Sequence, residues 1–109
     1  YSSAASDVYK RQQYQRALDD IVKAVELSPK DLTYRAEHAV VNLRVGRYEE
    51  SMKILNEILK DEPKYGEAYR LLGLCQIQLK KTDEACGNFN KAKELGDPNV
   101  DELIKKYCK

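Results

Sequence analysis

Shifted by 34 residues against itself, the chain aligns small residues with small and apolar with apolar. Tyr14 falls on Tyr48 and Thr82, Ala17 on Ser51 and Ala85, Ile21 on Leu55 and Phe89, and Ala24 on Ile58 and Ala92. Small residues recur where two helices would cross closely, and large apolar ones where a core would be filled. Pro29 falls on Pro63, with Pro98 one residue late. Each follows a stretch of helical character ("KAVELSP", "NEILKDEP", "KAKELGDP") that proline cannot continue. Between "LTYRAEHAVVNLRV" and the helix beginning at Tyr48 stands Gly46, a residue suited to ending one helix before the next starts. The pattern predicts an all-α chain of antiparallel helical hairpins stacked as a solenoid. A unit this small cannot bury its own apolar face, so each must be covered by its neighbours.

The 34-residue period, the Gly-x-Tyr turn, the recurrent small residues and the terminal proline together resemble the tetratricopeptide repeat (TPR) family, over Gln13 to Pro98. The last unit supplies the large residue and the apolar-small pair of the family's first helix as Tyr69, Leu72 and Gly73. The middle unit departs from it with Arg35, His38 and Ala39, and has Ile58 where a small residue is usual. Lys80 stands where the turn glycine belongs. The competing pentatricopeptide pattern has a unit one residue longer and lacks the terminal proline. The resemblance divides the chain into residues 13–31, the second helix of an incomplete unit; two whole units, 32–65 and 66–98; and a capping helix, 99–109. The picture is about two and a half repeats plus a cap.

Residues 1–12 fit this scheme badly. "YSSAASD" is rich in Ser and lacks the apolar spacing that a partner helix for Tyr14–Pro29 would need. The string "SSAASDVYKRQ" is similar to a translated sequencing adapter, which predicts a non-native leader and a native segment from about Gln13. The alternative is a genuine leader, disordered or partly helical. In either case the first hairpin is expected to lack a helix, leaving Leu18, Ile21, Val22 and Val25 as an uncovered stripe through which the chain could self-associate. At the other end, Val100, Leu103, Ile104 and Tyr107 recur at helical spacing. Asn99 is the expected N-cap, with Asp101 and Glu102 near the helix start and Lys105, Lys106 and Lys109 near its end. The closing segment "EACGNFNKAKELGDPNVDELIKKYCK" is similar to the ends of many bacterial TPR proteins, including envelope proteins, and suggests a bacterial fragment. The compartment stays open between cytoplasm and bacterial cell envelope.

Cys86 and Cys108 lie symmetrically about Asp97, in the turn joining the last two helices, so an antiparallel hairpin brings them abreast. They can form a disulfide that ties down the cap, or pack as reduced small hydrophobes. Cys75 lies between Leu74 and Ile77 and reads as core or groove lining.

The residues offer little for catalysis. A single histidine, His38, excludes most triads and multi-His metal sites, and it occupies a helix-packing position. There is no Gly-rich phosphate loop, HExxH or CxxC. With 19 basic against 18 acidic residues, the net charge of +1 provides no long-range attraction to nucleic acid or anionic membrane. No apolar run is long enough to span a bilayer. The reading is therefore non-catalytic, without cofactor, metal or nucleic acid, and with a protein or peptide as partner. The resemblance implies a concave groove lined by the first helix of each unit: Thr33, Ala36, Glu37, Val40, Leu43 and Arg44, then Glu67, Arg70, Leu74, Ile77 and Gln78. Aliphatic side chains occupy its centre, and Arg44 and Arg70 are expected to be available for a carboxylate. The Lys, Asn and Arg clamp with which some TPR proteins hold acidic chaperone tails is not matched. Thr33, Ala36, Glu37, Val40, Glu67, Leu71 and Leu74 fill those places. Two alternatives to a peptide-binding adaptor are a structural or self-assembly segment of a longer solenoid and the regulatory tail of an enzyme lying upstream.

Overall fold

The computed structural model describes the backbone of residues 2–108 and the side chains of residues 9–108. Six helices follow one another: α1 (Ser2–Leu27), α2 (Leu32–Arg44), α3 (Tyr48–Asp61), α4 (Gly66–Gln78), α5 (Thr82–Glu94) and α6 (Asp101–Tyr107). The starts of α2 and α4, and of α3 and α5, are each 34 residues apart, so the sequence period is the period of the hairpins. Each helix packs on its chain neighbour, and α2 also touches α4, which stacks the first helices of the two units side by side.

The turns explain the helix limits. Asp31 caps α2, its carboxylate accepting from the Thr33 and Tyr34 N–H groups at 2.9 and 3.2 Å. Gly46 at φ 87° lets the chain reverse from α2 into α3. Lys80 does the same between α4 and α5 at φ 63°, the left-handed region that a side chain disfavours, so it takes the glycine's role without the glycine.

Three apolar clusters run along the stack, each local to adjacent helices. Leu18, Ile21 and Val41 join α1 to α2. Ala36, Ala39, Leu55, Ile58, Ala68, Leu71, Leu72 and Cys75 form the middle cluster. Ala85, Phe89, Ala92 and Val100 form the last. The repeat's small positions are close crossings: Ala85 and Ala92 are fully buried, as is Ser51, whose hydroxyl donates to the Ala39 carbonyl at 2.7 Å. A Cβ placed on Gly73 would run into the Phe89 ring. Arg35, the departure from the aromatic at Tyr69, reaches from α2 to Asp61 at the end of α3 at 2.8 Å.

Residues 2–12 are helical and continue α1 without a break, and among the described residues no separate helix precedes Gln13. Two expectations need correction. Leu18 and Ile21 are not uncovered: they are buried against Val41 of α2, leaving Val22 and Val25 half-buried. Among the described residues of α1, Leu27 is the most exposed large apolar one, at 84%. The N-cap of α6 is Val100, not Asn99. Its side chain goes into the core rather than onto the helix start, and the Asn99 N–H donates instead to Asp97 Oδ1 at 2.8 Å. The terminal residue Lys109 lies outside the described residues.

Candidate functional site: the face formed by α2 and α4

Residues at i, i+4, i+7 and i+11 share one helix face, and Thr33, Glu37, Val40 and Arg44 follow that spacing along α2. Thr33, Glu37 and Arg44 are exposed there and Val40 is half-buried. On α4, Leu74 and Ile77 are half-buried and Gln78 is exposed. Val40, Leu43 and Leu74 all lean on the middle cluster, while Leu74 and Ile77 also reach the last one. An aliphatic row thus bridges the two units, with Glu37, Arg44 and Gln78 in water around it. Half-exposure lets these side chains support the core with one side and offer the other to a ligand.

Three members of the expected groove are not free. Ala36 is 3% exposed and belongs to the core between α2 and its neighbours. Arg70, expected to be available for a carboxylate, is engaged within the molecule. Its Nε donates to Asp97 Oδ2 at 2.9 Å, and the Asp97 side chain is only 4% exposed. Glu67 approaches the same guanidinium at 3.7 Å. Arg70 therefore pins α4 to the turn before α6, whereas Arg44 is exposed. Arg44 and Arg47 border a recess of about 530 Å³ shared with Lys10, Arg11 and Tyr14. Glu67 is likewise committed: it accepts from the Tyr65 hydroxyl at 3.1 Å. Burial first, and Glu67 second, push that phenol up to about 12.

A polar position on the hidden side of α2 was not singled out from the sequence. Asn42 is 1% exposed; its amide donates to the His38 carbonyl at 3.0 Å, while its Oδ1 has no protein partner. One repeat later stands Gln76, whose Oε1 accepts from Asn88 at 2.6 Å. In the middle unit the equivalent pair is Asn42 and Ile54, so the amide that serves Gln76 has no counterpart there. The signal was present in the sequence as a polar residue on a core-facing register. Asn42 and His38 border a recess of about 610 Å³ together with Leu18, Val22 and Leu79. His38 is half-buried; desolvation lowers its pKa below the ordinary 6.5, against an opposing pull from Glu50. Cys75 is fully buried, and the same loss of water pushes its thiol up. Among the described residues no helix is long and apolar enough to cross a membrane, and no group of three or more His, Cys, Asp or Glu converges as metal ligands would.

Comparison with known proteins adds the family context. The family described as "Tetratricopeptide repeat" matches residues 42–95. Human "DnaJ homolog subfamily C member 7" is 24% identical over 92 residues, covering 84% of this chain and 19% of that protein. "Hsp70-Hsp90 organizing protein 2" of Arabidopsis thaliana is 27% identical over 99 residues, 91% of this chain and 17% of its own length. The chain thus spans about a fifth of these relatives. Both are eukaryotic, which leaves the expected bacterial source without support. The solved structure "First TPR of Spaghetti (RPAP3) bound to HSP90 peptide SRMEEVD" superposes with a TM-score of 0.76 at 20% identity, over 96% of this chain and 85% of that one. That likeness establishes the fold.

Proposed function

This chain belongs to the tetratricopeptide repeat family, and from that premise we propose that it is a non-catalytic interaction module that holds an extended or helical peptide on the face shared by α2 and α4. The observation that carries the reading is the half-exposed aliphatic row of Val40, Leu74 and Ile77 across two units, bordered by Glu37, Arg44 and Gln78. A domain of the same fold, the first TPR of Spaghetti, holds an HSP90 peptide. Here the groove residues point to a different ligand. Thr33, Glu37, Val40 and Leu74 replace a polar clamp, and Arg70 is already neutralised by Asp97. The ligand is accordingly a segment whose aliphatic side chains insert over Val40 and Leu74, with one carboxylate near Arg44.

The test is selection from a displayed library of random 12-residue peptides, with the heptapeptide SRMEEVD as comparison. Selected peptides are expected to carry aliphatic residues and to lose at least tenfold in affinity with Val40→Asp/Leu74→Asp. The exposed change Arg44→Glu, which leaves the core intact, is expected to weaken them severalfold. SRMEEVD is expected to bind no better than millimolar. Micromolar SRMEEVD binding, or selected peptides indifferent to all three substitutions, would overturn the reading. The spacer alternative instead predicts no selectable peptide.

A further inference from the structure

Cys86, early in α5, and Cys108, immediately after α6, have Cα atoms 5.6 Å apart and sulfurs bonded to one another. The bond sits at the far end of a helix that has little else to hold it. With seven residues α6 is too short to be helical unaided, and its start has no side-chain cap. Its near end is fixed by Val100, which is fully buried, and by Asp97, which Arg70 holds. Beyond Val100, Leu103, Ile104, Tyr107 and Cys108 lean on the last cluster, all half-buried, with the Tyr107 ring stacked on Phe89 at 6.4 Å. Both cysteines are half-buried, within reach of a dissolved thiolate, whereas Cys75 is fully buried.

We propose that the Cys86–Cys108 bond is an exchangeable clasp whose redox state decides whether α6 caps the stack. Opening is thiol–disulfide exchange with a dithiol. One thiolate attacks a sulfur of the clasp, giving a mixed disulfide and releasing the other cysteine as a thiolate. The second thiol then resolves the mixed disulfide. The dithiol ends as a disulfide, and Cys86 and Cys108 each take a proton. Closing is the reverse, with oxidised glutathione accepting the electron pair and leaving as two reduced molecules. In the open state α6 frays beyond Val100 and uncovers the edge of Phe89, the surface on which a further hairpin of a solenoid would stack.

The experiment is amide hydrogen exchange on the full chain, in dithiothreitol and in oxidised glutathione, with intact mass and thiol counts. Oxidation is expected to remove two thiols and 2 Da from a monomer and to leave Cys75 free. Exchange in residues 101–107 is expected to be at least tenfold slower in the oxidised chain, with residues 66–78 unchanged. Cys108→Ser should exchange fast in both conditions, and Cys75→Ser should keep the contrast. Three results would overturn the clasp: thiols that survive oxidised glutathione, disulfides formed between chains, or α6 exchange that is the same in both states.

Discussion

Gly73 and Phe89 illustrate how single residues fix the distance between helices. The absence of a side chain at Gly73 lets the Phe89 ring lie against the α4 backbone, so Gly73→Ala must push α5 away or force the ring off its rotamer. A loss of about 1–3 kcal/mol is expected in urea unfolding, larger than for Gly87→Ala, where a Cβ meets nothing within 4 Å. Lys80 is the opposite case, a side chain where the backbone wants none. Lys80→Gly is expected to raise the urea midpoint, by about 0.5–1 kcal/mol of stability, because it removes left-handed strain at φ 63°. His38 makes stability depend on pH. Its folded pKa lies below the unfolded value of 6.5, so the unfolded chain binds the proton first as pH falls. Stability attributable to His38 is whole above 6.5, declines as pH drops from there through the folded pKa, and is flat below. His38→Leu, which copies Leu72 of the next unit, is expected to flatten that part of the profile when unfolding midpoints are compared at pH 7.5 and 5.5.

At the level of the element, α1, like α6 at the other end, packs on a single neighbouring helix. Its buried contacts with α2 begin at Ala17 and run through Leu18, Ile21, Val22 and Ala24. Before Gln13, the side chains of residues 9–12 are exposed and lie outside that cluster. Removing residues 1–12 is therefore expected to lower the stability of the remainder by less than about 1 kcal/mol in urea unfolding, while reducing helical ellipticity. A loss of several kcal/mol would show that the leader is an integral part of the first unit. Helices α4 and α5, next to the cap, share Gly73, Phe89 and Leu74 between them, so they are closely coupled.

Over the whole molecule the shape is that of a short solenoid. The radius of gyration is 14.8 Å, above the roughly 13 Å of a compact chain of this length. The extents of 41 × 37 × 21 Å reflect hairpins added along one direction, with three local clusters in place of a single centre. Much of this was legible in the sequence. The 34-residue spacing, Gly46, the prolines and the alternation of Ala and Leu or Phe determined the helices, their order and their pairing, because helix periodicity and turn chemistry act over a few residues and a repeat copies them. The tertiary structure alone decided which groove residues are free. Ala36 disappears into the core, and Arg70 is claimed by Asp97 from beyond α5. Each of these depends on a side chain from a distant part of the chain, and a local pattern carries no information about which distant charge or amide arrives beside it.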